Sequence, residues 1–161
     1  ALCTLHRAEN VDDRETLAGI VAGLGEVALE LPIVLPLHPR TLGRMEQFGL
    51  RDSFPSGILT CDPLGYLDIL CLEEAAALIL TDSGGMQKEA FFQHTPCVTI
   101  RSETEWVELL DGGHNRLARP GLDSIAEKAH EAMSTDLNWD KNFYGDGKSA
   151  ETIVRSLVER V

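Results

Sequence analysis

The sequence predicts an α/β fold with a mainly parallel sheet and helices on both of its faces. Two observations predict it. Six short apolar, β-rich runs recur at 2–5, 33–37, 57–61, 78–81, 97–100 and 115–118. Segments with helical periodicity separate them, and strands that alternate with helices assemble as parallel βαβ units.

Each element has its own signal. The first strand, 2–5, runs straight into the polar cluster His6-Arg7-Ala8-Glu9-Asn10. Asp12-Asp13 then opens a helix with the stripe Leu17, Ile20, Val21, Leu24, Val27 and Leu31, and its dipole favours carboxylates at that end. The second strand stops at His38-Pro39-Arg40, where proline forces extended backbone on His38 and aims it off the strand end. The third leads through Asp62-Pro63-Leu64-Gly65 to a helix marked by Tyr66, Ile69, Leu70 and the stretch 72–76. The fourth turns into a helix through Gly84 and Gly85. The fifth and sixth end at Arg101-Ser102-Glu103-Thr104-Glu105 and at Arg119-Pro120-Gly121. Helical signals return at 122–133 and 148–160, around a polar connection, 138–146, that contains Trp139, Phe143 and Tyr144.

Composition narrows the functions. A chain of 161 residues, 43% apolar and 6% aromatic, suits one compact domain over 1–161. No apolar run approaches the ~20 residues of a membrane span, so no membrane partner is expected. Cys3, Cys61, Cys71 and Cys97 form no C-x-x-C pair, and each reads as a small hydrophobe in a reducing cytoplasm. His6, His38, His94, His114 and His130 lack ligand spacing, so no metal is expected. The 14 basic and 26 acidic residues give a net charge of −12, which argues against a nucleic-acid partner. The opening at Ala1 in mid-strand is what an excised domain or a processed terminus would show.

Ligands of open parallel sheets bind beyond the carboxyl ends of the strands. That edge collects the His, Arg, Asp, Ser and Gly clusters above. The opposite edge carries blander segments such as Leu31-Pro32 and Thr95-Pro96.

The sharpest element is L-T-D-S-G-G-M-Q-K-E-A at 80–90. Ser83, Gly84 and Gly85 place N–H groups at a helix N-terminus, an arrangement suited to a diphosphate. Glu89, six residues beyond Ser83, could accept two ribose hydroxyls. The same residues also fit a plain β-to-α turn with Ser83 as N-cap. His6 is the candidate for proton transfer or a phosphate contact, with Arg7 beside it. The competing account makes Arg7 and Glu9 a solvated pair and Asn10 the cap of the next helix. His38 is either a ligand contact or the end of its strand. Glu105 and Glu108 read as carboxylates on one face of a short helix, placed by its dipole.

Six motifs in order resemble the non-hydrolysing UDP-N-acetylglucosamine 2-epimerase family: T-L-H-R-A-E-N at 4–10, H-P at 38–39, G-Y at 65–66, T-D-S-G-G-M-Q-K-E-A at 81–90, R-S-E-T-E-W-V-E at 101–108 and Y-G-D-G-K-S-A at 144–150. The resemblance implies a Rossmann-like C-terminal half of a glycosyltransferase-B-type protein that grips UDP, with the N-terminal domain absent from this chain. It implies a catalytic role for His6 and substrate binding by Ser83, Gly84, Gly85, Glu89, Tyr66 and Arg101. Arg7 and His38 correspond to positions that contact a second, regulatory UDP-sugar in bacterial members. The implied reaction inverts C2 of the sugar by anti elimination of UDP and its re-addition to the opposite face, without a redox cofactor. The carboxylates that move the C2 proton belong to the N-terminal half, so the fragment is expected to bind without turnover. A homodimer is implied for the full-length protein.

Two departures stand out. Trp106 and Val107 replace the family's usual Arg-Pro in T-E-R-P-E, and Lys88 stands where an acidic residue is common. The E-W-V-E form, followed by Gly113-His114-Asn115, looks like the branch acting on UDP-2,3-diacetamido-glucuronic acid. Competing readings are the donor half of a glycosyltransferase-B enzyme, which shares the fold, and a non-catalytic sugar-nucleotide sensor in which His6 is replaceable.

Overall fold

The computed structural model describes residues 1–159; residues 160 and 161, the end of the expected closing helix and domain, lie outside them. All six expected strands form within a residue or so of their expected bounds: β1 (Leu2–Thr4), β2 (Ile33–Pro36), β3 (Ile58–Cys61), β4 (Ile79–Thr81), β5 (Cys97–Thr99) and β6 (Asn115–Leu117). They make one parallel sheet in the order β3-β2-β1-β4-β5-β6. The chain builds outward from β1 on one side and from β4 on the other. The crevice between the carboxyl ends of these two strands is the topological switch point, where open α/β sheets bind ligands.

Helices cover both faces. On one, α2 (Arg14–Val27) and α7 (Ile125–Ser134) bury Leu17, Ile20, Leu24, Ile125 and Ala129 against Cys3, Leu35, Leu80 and Val98 of the strands. On the other, α4 (Tyr66–Ala75) and α5 (Gly84–Phe92) enclose a smaller core of Leu2, Ile79, Met86, Ala90 and Cys97. Asp13 caps α2 by accepting from the N–H and hydroxyl of Thr16, both at 2.8 Å. It takes the role that one reading gave to Asn10.

The structure adds α1 (Ala8–Val11) and α3 (Pro39–Phe48), for which the sequence shows no apolar stripe. Only Thr41 and Met45 of α3 are buried, one pair at helical spacing. Its stronger signals are Pro39 in the first turn and Gly49 in the left-handed conformation at its end, φ 67°. The helix expected at 122–133 begins later, at Ile125, because Ser124 caps it. Cys3 and Cys97 are buried as expected, Cys61 is half-buried, and Cys71 faces solvent on α4.

The connection 138–146 folds back over α5, where Phe91 meets Phe143 at 5.3 Å and Tyr144 at 5.8 Å between ring centroids. Beyond it α8 (Ser149–Val158) buries no residue, and Ile153, Val154 and Leu157 are exposed along it. Among the described residues no helix is long and apolar enough to cross a membrane.

Candidate functional site at the switch point

The loops after β1 and β4 are tied together at the base of the crevice. The hydroxyls of Thr4 and Thr81 lie 2.7 Å apart, and the N–H of Ser83 donates to Thr81 Oγ1 at 2.9 Å. Ser83 occupies the N-cap position of α5, but its side chain makes no capping hydrogen bond there. The first-turn N–H groups of α5 have no intrahelical partner. This departs from the plain capped turn, in which the serine hydroxyl would satisfy one of them.

Gly84 is buried and Gly85 exposed. A Cβ at Gly84 would collide with the Glu105 carboxylate, and the indole N–H of Trp106 donates to the Gly84 carbonyl at 2.8 Å. The glycine thus lets the loop after β5 lie directly on the turn. Gly85 faces open space, with only the Ser83 hydroxyl near the place of a Cβ.

Asp82 organises the other side. Its carboxylate is fully buried and accepts from the backbone N–H of His6 at 3.0 Å, the backbone N–H of Arg7 at 2.8 Å and Nδ2 of Asn10 at 3.1 Å. Nδ1 of His6 completes the set at 3.0 Å from Oδ1. Burial opposes ionisation of Asp82, yet the hydrogen bonds from the His6 side chain and from the backbone of Arg7 and His6 outweigh it and hold the carboxyl below its ordinary value. Arg7 donates through Nε to the Asp82 carbonyl at 2.9 Å, and Asn10, buried, also donates to the Ile100 carbonyl at 2.8 Å. Arg7 is thus turned to the Asp82 carbonyl instead of forming the solvated pair with Glu9 of the competing account, and Asn10 is a buried donor instead of a helix cap. Asp82 itself went unassigned in the sequence reading; its signal was a carboxylate directly after a buried strand.

His6 and His38 face each other with ring centroids 5.4 Å apart and, with Ser83, Leu64 and Met86, line a cleft of about 200 Å³. His38 is the N-cap of α3, its Nδ1 accepting from the Arg40 N–H at 3.1 Å. Farther along α5, Tyr66 donates to Glu89 Oε1 at 3.2 Å, and the charge of Glu89 and this bond raise the phenol's pKa. Behind them Glu73 is buried with neither carboxylate oxygen hydrogen-bonded. Burial first, then the charge of Glu89, push its pKa up to about 7.

Arg101, only 9% exposed, donates to Glu105 at 2.8 Å and lies 3.6 Å from Glu9. Glu105 therefore precedes α6 (Val107–Asp111) and serves Arg101, instead of sharing a helix face with Glu108 as expected. The ammonium of Lys88 rests over the rings of Trp106 at 4.5 Å and Tyr144 at 4.3 Å. Every rim residue singled out in the sequence lies along the carboxyl edge of the sheet or on the helices that start there. His6, His38 and Ser83 share one cleft, and Tyr66 and Glu89 form a second contact.

The strand order and this rim define a Rossmann-like domain of the glycosyltransferase-B type. Residues 1–158 match the UDP-N-acetylglucosamine 2-epimerase family, and the chain belongs to it. It is 45% identical over 98% of its length to UDP-2,3-diacetamido-2,3-dideoxy-D-glucuronate 2-epimerase of Pseudomonas aeruginosa, and covers 44% of that protein. It is 43% identical to the UDP-N-acetylglucosamine 2-epimerase of Methanocaldococcus jannaschii, again over 98% of this chain and 44% of the relative. The crystal structure of UDP-GlcNAc 2-epimerase from Methanocaldococcus jannaschii, in complex with UDP-GlcNAc and UDP, superposes with a TM-score of 0.89 at 42% identity, over 98% of this chain and 44% of that one. The chain thus spans less than half the length of these relatives.

Proposed function

We propose that this chain is the nucleotide-holding portion of a UDP-sugar 2-epimerase and that UDP sits at the switch point with its diphosphate on the first turn of α5. The observation that carries the reading is the uncapped helix start at Ser83, Gly84 and Gly85, with His6 on its flank and Glu89 farther along the same helix, in a chain of this family. In this placement the ribose hydroxyls donate to Glu89, which Tyr66 steadies. Arg101, neutralised by Glu105 and Glu9, supports the loop that closes over the turn. The reaction served is inversion at C2, in which UDP leaves by anti elimination and adds back to the opposite face of the 2-acetamidoglucal. Elimination followed by addition changes no oxidation state overall, so no redox cofactor is needed.

The substrate class is a UDP-2-acetamido sugar, UDP-N-acetylglucosamine or a diacetamido-uronate. The similarity to the Pseudomonas protein and the Glu105-Trp106-Val107-Glu108 segment support the latter. The chain's own N-terminal domain is the partner that supplies the C2 carboxylates, and the exposed apolar residues of α8 give it a surface to cover. A homodimer of the full-length protein, regulation by a second UDP-sugar near Arg7 and His38, and a cytoplasmic role in supplying cell-envelope polysaccharide precursors belong to the same proposal. The free thiols suit a reducing compartment.

Calorimetric titration with UDP tests it. Weak binding is expected for the chain, with loss of binding in Ser83→Asp, which puts a carboxylate where the diphosphate sits, and in Glu89→Ala. Unchanged titration curves in both variants would remove the proposed site.

A further inference from the structure

The loop after β5 is fastened at several points. Arg101 donates to Glu105 at 2.8 Å, the Thr104 hydroxyl donates to Gln87 Oε1 on α5 at 2.5 Å, and the Trp106 backbone N–H donates to Thr104 Oγ1 at 3.2 Å. The Gln87 oxygen is fixed in turn by Asn115 Nδ2 at 2.9 Å. These bonds place the loop without the Trp106 side chain. Its indole N–H is left for another task, and it donates to the Gly84 carbonyl at 2.8 Å.

That bond acts on the peptide unit between the two glycines of the turn. In a trans peptide the carbonyl and the following N–H point in opposite directions, so a donor held on the Gly84 oxygen turns the Gly85 N–H toward the open end of the helix. Accepting the bond also polarises the unit and makes that N–H a stronger donor. With glycine on both sides, this peptide lacks the side chains that restrict rotation elsewhere, which is where an outside clamp has most effect. The ring is itself gripped. The Lys88 ammonium lies 4.5 Å from the centroid of the Trp106 ring and 4.3 Å from that of Tyr144, and the two rings meet edge to face at 6.1 Å. A cation on the indole face is held by the ring's electrons and draws them toward it, which strengthens the ring N–H as a donor.

We infer that Trp106 is a positioning residue of the nucleotide site: its indole N–H presets the Gly85 N–H for the diphosphate, and Lys88 and Tyr144 hold the ring for that purpose. The inference rests on the proposed seat of the diphosphate on α5. It gives Lys88 and Trp106, the two departures in the sequence of the rim, one shared task.

The test combines UDP titration with nitrogen–proton NMR of the chain. Trp106→Phe keeps an aromatic face under Lys88 and removes the donor. It is expected to bind UDP about tenfold more weakly. In the unliganded variant, nitrogen relaxation shows the Gly85 amide more mobile than in the parent, while the amides of Thr104 and Gln87 stay as ordered as before. In the parent, UDP moves the indole resonance of Trp106 and leaves that of Trp139, which stacks on His94 beyond the far end of α5, in place. Lys88→Met weakens UDP binding in the parent and adds nothing in the Trp106→Phe background, because Lys88 acts through the ring. Parent-like affinity in Trp106→Phe, an equally ordered Gly85 amide, or loosening of Thr104 and Gln87 along with it overturns the inference. An undiminished Lys88→Met effect in the Trp106→Phe background overturns the part given to Lys88 and assigns its charge to the diphosphate directly. UDP binding that is absent, or that survives Ser83→Asp, overturns the seat on α5 instead, and the relaxation of Gly85 still decides whether the indole sets the turn.

Discussion

Asp82, fully buried at the end of β4, holds Nδ1 of His6 at 3.0 Å across the switch point. A buried carboxylate without partners costs several kcal/mol. This one is offset by donors that all come from the loop and short helix after β1. The anion fixes the shape of that loop, and the loop keeps the anion charged.

Replacing Asp82 with alanine leaves these buried donors unpaired at once. Asp82→Ala is expected to lose about 3 kcal/mol of stability, read from the midpoint of urea unfolding. Asp82→Asn keeps the shape and one acceptor, so its loss is smaller. Equal losses in the two variants would show that the negative charge, absent from both, carries the whole effect, and an unaffected Asp82→Asn would show that the charge plays no part.

Gly84→Ala and Gly85→Ala together separate stability from binding. At Gly84 the added methyl meets the end of the flexible Glu105 side chain, which can swing aside, and alanine is favoured over glycine inside a helix by up to about 1 kcal/mol. The melting temperature therefore stays within a few degrees of the parent, while in Gly85→Ala, whose methyl faces the open side of the turn, UDP affinity drops at least about tenfold. Undiminished UDP binding would place the diphosphate elsewhere.

Glu73 makes stability depend on pH in the opposite sense to an ion-paired acid. Its folded-state pKa of about 7 lies above the ordinary 4.5 of the unfolded chain, so the folded state holds the proton that the unfolded state releases. The penalty is absent below the lower value, grows as pH rises through the interval, and is complete above about 7. Glu73→Met, close in volume to the neutral form, is expected to gain on the order of 3 kcal/mol at pH 8 and little at pH 4. Chemical denaturation at the two values checks it, and an equal gain at both would remove the titration from the account.

The sheet was legible because strands buried on both faces read as unbroken apolar runs. The rim was legible because each run stops at a polar cluster. The role of Asp82 was hidden, since nothing local tells a buried acceptor from a solvent-facing turn residue when its donors lie on a distant segment. Helix α3 was hidden because only Thr41 and Met45 turn inward. Glu73 was masked within the stretch 72–76, where it is the buried member while Tyr66 and Leu67 of the same helix stay exposed. Glu105 looked helical by spacing, and its bond to Arg101 took it out of that helix.

The pairing of β1 with β4 also has a temporal side. His6 and Asp82 stand 76 positions apart in the chain and meet only once these strands are neighbours. No nascent or truncated piece ending before β4 can own a correctly oriented imidazole. The orientation of the His6 ring is therefore set together with the central register of the sheet.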